Sequence, residues 1–224
     1  MNTSEHRKTV YFAGELFSLK HLVGNAALAE SLHRESAGKY RCVLPQDLEQ
    51  RETTPQAIRD QDISSLLACD VGLFNFDGDE IDSGTVVEFM IAKFADIPAV
   101  IVRSDFRGGG DNGVLPWNLM LSNYPRTEVV LLDAIAEYQR QLSSDEAHAG
   151  RSVTASLRAY DETARKILAA FEKVENQQSL LPPELREPVY QWLRLMPGLE
   201  FSKKLPPHEM RKLLERKVAM RMFG

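Results

Sequence analysis

Only two cysteines, Cys42 and Cys69, occur in the 224 residues. Both sit in apolar runs, RCVLP and LLACDVGLF, with no CxxC or histidine-spaced companion, which argues against a zinc site or a disulfide framework. They read as reduced core residues. No apolar run approaches the ~18 residues of a membrane helix, and the opening segment MNTSEHRKTV has no apolar h-region. Cytoplasm is therefore the expected location. Basic charge is also short: the net charge is −5, without the electrostatic footprint of a nucleic-acid binder. Glycine is missing where a dinucleotide fingerprint needs it, because Gly14 is followed by none until Gly24, which disfavours a nicotinamide cofactor. The run RGGGDNG lacks GK[ST] and reads as a flexible loop. No GxSxG elbow accompanies His21, the one histidine near an expected strand end, so triad hydrolysis is disfavoured.

What is present is ordinary globular composition, 43% hydrophobic and 26% charged, enough for one sizeable core and an appendage. Apolar runs at 9–14, 40–45, 71–76, 98–103 and 128–133 have strand character. Between the first four lie helical patterns at 19–35, 54–70 and 85–95, and a long glycine-rich loop, 104–127, precedes the fifth. Strands alternating with helices imply a doubly wound parallel sheet whose carboxyl ends share one ligand-binding edge. From 151 the pattern is helical only. The expected division is an α/β domain, 1–150, and a helical extension, 151–224, packing on the core or on a neighbouring subunit. Residues 1–150 hold 13 basic and 23 acidic side chains, whereas 151–224 hold 14 and 9. That asymmetry fits either a tail packed on an acidic surface or the solvated faces of amphipathic helices.

The chemistry available at the sheet edge is carboxylate. Asp62 precedes the third strand, Asp77 and Asp82 follow it, and the stretch GDEIDSGTVVEFM (78–90) carries Glu88 inside a helix. A structural alternative exists: Thr85-Val86-Val87-Glu88 fits a capping box, with Thr85 as cap and Glu88 reaching back to its amide. Asp82 then is a loop acid near a helix dipole. In the functional alternative, Glu88 occupies the first helical turn, is held anionic by the dipole and free amides, and attacks an anomeric carbon. A second carboxyl nearby protonates the leaving group, as in retaining glycosyl chemistry, where the pair lies about 5–5.5 Å apart.

The segments VYFAGELF, LPQD, DISSLLACD, DSGTVVE and NLMLS, in that order over about residues 8–135, resemble the nucleoside 2-deoxyribosyltransferase family. The resemblance implies a flavodoxin-like fold with five strands and exchange of the base of 2′-deoxyribonucleosides through a covalent glycosyl-enzyme ester. It implies Glu88 as nucleophile and Tyr11 as the residue orienting it. Asp82 and Asp62 then grip the base and supply its proton, and Gln46 adds a base contact. Gly14, Phe17, Asp77 and Gly84, in or beside these motifs, join the expected substrate-binding set. Asn118 and Met120 are expected to reach a neighbouring subunit's site, which implies a homo-oligomer, at least a dimer. No metal or organic cofactor is required. Taken singly, Tyr11 is also readable as a strand aromatic, Gln46 as a turn residue and Asn118 as a cap.

The sequence departs from the family in two places. Members that hydrolyse nucleoside 5′-monophosphates carry a glycine- and arginine-rich turn after the first strand, whereas GELFSLKH stands here. That favours an unphosphorylated nucleoside, although Lys20, His21 and Arg107 are available as phosphate contacts and an N-glycoside hydrolase is a second reading. The second departure is the long tail, which suits a lid, an oligomerisation arm or a partner-binding element. A nucleotide-sensing module signalling through that tail is a third reading. An intact Glu88, Asp82 and Tyr11 set speaks against it.

Overall fold

The computed structural model describes residues 7–48, 54–78, 80–105, 117–143, 151–220 and 222–223. Its first half runs β1 (Lys8–Ala13), α1 (Leu19–Glu35), β2 (Tyr40–Val43), α2 (Pro55–Ala68), β3 (Val71–Asn75), α3 (Ser83–Phe94) and β4 (Ala99–Arg103). Then follow β5 (Thr127–Leu131), α4 (Ala134–Ser143), α5 (Arg151–Glu175), α6 (Pro183–Leu195), α7 (Leu199–Lys204) and α8 (Pro207–Ala219). All strand pairs are parallel, in the order β2-β1-β3-β4-β5. This is the flavodoxin-like doubly wound order, whose switch point falls between β1 and β3. Tyr11 stands opposite Val43 on one side and Gly72 on the other.

Helix starts follow local chemistry. Ser18 and Thr54 cap α1 and α2 by accepting from the His21 and Ala57 amides, and Pro stands in the first turn of α2, α6 and α8, where its missing N–H costs nothing. The central strands β3 and β4 are buried on both faces, which explains their continuous apolar runs. Gly72 is needed in β3 because the Phe74 ring lies over it. An added Cβ would meet that ring at 2.3 Å.

Side chains alternate across the sheet, and the two faces bury different helices. Val10, Phe12, Leu73 and Val100 pack with Leu28 and Leu32 of α1 and with Ala164, Ile167, Phe171 and Val174 of α5. The α5 residues lie at helical spacing, so one stripe of that helix is core. Tyr11, Phe74 and Ile101 face the other way, toward Leu66 and Leu67 of α2 and Phe89 and Ala92 of α3. Tyr190, Phe201 and Met210 from α6, α7 and α8 extend that second cluster.

The tail is pinned by polar contacts at the opposite end from the strand carboxyl termini. Glu175 accepts from Lys8 Nζ at 2.6 Å and Tyr40 Oη at 3.0 Å. Asp96, in the turn after α3, accepts from the Leu180 and Leu181 amides, and Tyr190 Oη donates to the Ala95 carbonyl. Lys217 of α8 is fully buried and donates to the Cys69 carbonyl at 2.5 Å. Burial pushes its ammonium down to about 8. No helix among the described residues is long and apolar enough to cross a membrane.

Candidate active site

Strand β1 delivers Tyr11 to the α2/α3 face, where its ring is fully buried. Its hydroxyl donates to Glu88 Oε1 at 2.5 Å, the short length of a bond to an ionised or partly ionised oxygen. Burial, then the charge and hydrogen bond of Glu88, push the phenol far above its ordinary value. Tyr11 therefore stays protonated and always donates.

Glu88 lies in α3 and is raised to about 7. Burial is the main cause, the carboxylates of Asp62 and Asp82 add to it, and the Tyr11 hydroxyl opposes it. Asp62, on α2, is raised to about 6 by burial, and its buried Oδ1 has no hydrogen-bond partner among the described residues. Glu88 therefore holds the Tyr11 hydroxyl within the field of two further carboxylates. Glu88 and Asp62 titrate near neutral pH, as groups that exchange protons with substrate do.

The local setting of Glu88 differs from that expected. Helix α3 begins at Ser83, two residues before the Thr85 expected as its cap, so Glu88 falls in the second turn. The cap is Asp82, whose Oδ2 accepts from the Thr85 amide at 2.7 Å and the Thr85 hydroxyl at 2.8 Å. An acid satisfies the free amides better than Thr85 does. Glu88 consequently makes no capping box, and its charge is set by burial and by Tyr11 rather than by the first-turn amides. Gly84 lies against the same carboxylate: an added Cβ would stand 3.1 Å from Asp82 Oδ2.

The other expected contacts are distributed unevenly. Gly14 closes β1 beside β3, where a Cβ would meet Asn75 Cβ at 3.2 Å. Asp77 is engaged by the amide and the hydroxyl of Ser104, tying the end of β3 to the end of β4. Gln46 is held at both ends, donating to the Leu22 carbonyl at 2.9 Å and accepting from Asn25 Nδ2 at 3.3 Å. Asn118 Oδ1 accepts from the Met120 and Leu121 amides and shapes the turn that leaves Met120 76% exposed. Phe17 is 75% exposed. Arg107 and the RGGGDNG run lie outside the described residues.

Sequence reasoning passed over Arg103 and Trp117. Buried Arg103 donates to the carbonyls of Phe76 at 2.6 Å and Gly78 at 3.2 Å and lies over the Trp117 ring. It fixes the start of the loop that ends in Asp82. The available signal was an arginine closing the apolar run AVIVR, a charge that a buried strand end must pair.

A cavity of ≈600 Å³ opens on the opposite face, between α1, α4 and α5, with Phe12 in its wall. Lys20 and His21 line it, and none of Tyr11, Asp62, Asp82 or Glu88 does. Among the described residues no group of three or more His, Cys, Asp or Glu is placed to hold a metal ion.

Residues 10–120 match the family model of the nucleoside 2-deoxyribosyltransferases. No curated protein sequence matches the chain. Among solved structures, a conserved protein from Enterococcus faecalis V583 is similar at 20% identity, covering 75% of this chain and 99% of its own, with a TM-score of 0.46. The 2-deoxyribosyltransferase of Bacillus psychrosaccharolyticus is similar at 16% identity, covering 52% and 81%, with a TM-score of 0.40. The 2-desoxiribosyltransferase of Leishmania mexicana is similar at 21% identity, covering 62% and 99%, with a TM-score of 0.42.

Proposed function

We propose that this chain, whose residues 10–120 match the nucleoside 2-deoxyribosyltransferase family, exchanges the base of 2′-deoxyribonucleosides through a covalent deoxyribosyl ester on Glu88. The observation that carries the reading is the Tyr11–Glu88 hydrogen bond of 2.5 Å with Asp62 and Asp82 in the field of the same carboxylate.

In the first half-reaction Glu88 Oε2 attacks C1′ while Tyr11 holds Oε1. The C1′–N bond breaks, its electron pair leaves on the base nitrogen, and a proton from Asp62 neutralises that nitrogen. Asp62, raised to about 6, carries a proton in a minority of molecules near neutral pH and in more of them just below it, and its unpartnered buried oxygen is free to meet the base. Asp82, fixed as the helix cap, bounds the base on the other side. In the second half-reaction an incoming base nitrogen attacks C1′, the ester C–O bond breaks, and the acceptor's proton returns to Asp62. Two inversions give net retention. Gly14, Phe17, Gln46 and Gly84 belong to the surround of this site in the same reading, whereas Asp77 lines the cavity on the opposite face. Asn118 and the exposed Met120 are offered to a second copy of the chain, which makes the working unit a homo-oligomer.

The test is incubation of the protein with 2′-deoxyinosine, with and without adenine, followed by chromatography. Deoxyadenosine is the expected product. Hypoxanthine alone, in both reactions, makes the chain an N-glycoside hydrolase in which water resolves the ester. No turnover of any deoxynucleoside or 5′-monophosphate overturns both enzymatic readings in favour of a sensing module.

A further inference from the structure

We propose that the cavity between α1, α4 and α5 is a second binding site, separate from Glu88, for an uncharged planar heteroaromatic of purine size. The cavity measures ≈600 Å³, within the range of small-molecule pockets. It is reached from the carboxyl edge of the sheet but lies behind it. Phe12 is in its wall, whereas the neighbouring Tyr11 points to Glu88 through the opposite face. A molecule filling the cavity is thus screened from the nucleophile by the backbone of β1 and β3.

The lining selects the class of ligand. Phe12, Tyr138 and Tyr160 supply aromatic walls, and Leu28, Val102 and Ile135 supply aliphatic ones, a surface suited to a flat ring system. Among the described residues the Tyr138 and Tyr160 hydroxyls make no hydrogen bond, and His21 Nδ1 is buried with no partner. The two hydroxyls are free to meet ring nitrogens and exocyclic groups. Charge argues against an anion: Lys20 stands against Glu15, Asp77 and Asp105 in the same lining, and Glu137 there is paired with Arg140. His21 is already engaged by Glu15 at 3.1 Å. A phosphate or carboxylate ligand would meet net repulsion there.

Asp77 lines the cavity and is gripped by Ser104, another lining residue. Arg103 donates to the carbonyl of Gly78, which also lines the cavity.

The experiment uses full-length protein carrying 3-fluorotyrosine, with the Tyr138 and Tyr160 ¹⁹F resonances assigned by Tyr138→Phe and Tyr160→Phe. Adenine is titrated into the Glu88→Gln protein, so binding is read without turnover. Saturable shifts of both resonances are expected. Ala159→Phe and, independently, Ser156→Phe fill the cavity and are expected to weaken those shifts by at least about tenfold in apparent affinity, while leaving the Tyr11 resonance responsive. Adenine moving Tyr11 but neither Tyr138 nor Tyr160 overturns the proposal, as do shifts unchanged in both filled variants. Binding in the cavity without any base exchange by the wild-type protein would sink the proposed function and leave this inference standing.

Discussion

Tyr11 and Glu88, 77 positions apart in the chain, are joined by a hydrogen bond of 2.5 Å. One comes from a central strand and the other from the helix that follows the next strand in the sheet. Every chemical expectation for this protein turns on that pair.

Removing the nucleophile tests it most directly. Glu88→Gln keeps an oxygen for the Tyr11 hydroxyl but cannot form the ester, so base exchange is expected to fall by about 10³-fold or more. Intact-mass measurement with a slow substrate should show a sugar adduct on wild type and none on the variant. Full turnover by Glu88→Gln rules out the covalent route.

The pH profile carries the signature of Tyr11. Attack needs ionised Glu88, and the departing base needs a proton on Asp62, which is raised only to about 6. Ester formation should therefore follow a bell in pH whose falling limb lies at the Glu88 value of about 7. The Tyr11 hydroxyl holds that value down. Tyr11→Phe should therefore move the falling limb to higher pH as well as slow the step about 10–100-fold. A limb that stays in place assigns the titration to another group.

Stability should run against activity at the same residue. In the folded protein Glu88 keeps its proton up to about pH 7, whereas the unfolded chain releases it near its ordinary value, so stability falls as pH rises across that window. Above pH 7 the whole penalty is present. Glu88→Gln should be more stable than wild type at pH 8, by on the order of 1–2 kcal/mol after allowing for partial exposure, and no more stable at pH 4. Urea midpoints at the two pH values decide it.

Asp82 caps α3 and, in the proposed reaction, bounds the base, and substitution separates the two. Asp82→Asn keeps a capping oxygen for the Thr85 amide and hydroxyl and should cost only a few tenths of a kcal/mol, whereas Asp82→Ala loses the cap and should cost about 1 kcal/mol. If the charge acts on the base, both variants lose most of their turnover. Activity retained by Asp82→Asn would reduce Asp82 to a helix cap.

Helix α5 covers Val10, Phe12, Leu73 and Val100 with Ile167, Phe171 and Val174, all at or near zero exposure. Ile167→Ala should cost about 2–5 kcal/mol, read from chemical denaturation. Truncation at residue 150 should give insoluble protein rather than an active core.

The sequence by itself determined the elements and their order. The five apolar runs became the five strands within a few residues; for β3 and β4 the reason is burial on both faces, which requires an uninterrupted apolar run. The acids at 62, 82 and 88 were legible as candidates for the same local reason: they stand where β-α units place side chains on the ligand edge. The cap of α3 was open between Thr85 and Asp82, which both suit the position, and the structure places Asp82 there. Gln46 shows the same limit, its amide being drawn to Leu22 and Asn25 of a helix packed beside it. Tertiary structure alone decided which side of the sheet each residue occupies, so that Tyr11 meets Glu88 while Phe12 closes a cavity behind it. It alone decided that Glu88 and Asp62 titrate near neutrality, because desolvation belongs to the packed interior and not to the residue. The basic tail likewise shows in sequence only as amphipathic helices, and its place as part of both cores follows from the apolar sheet faces it covers.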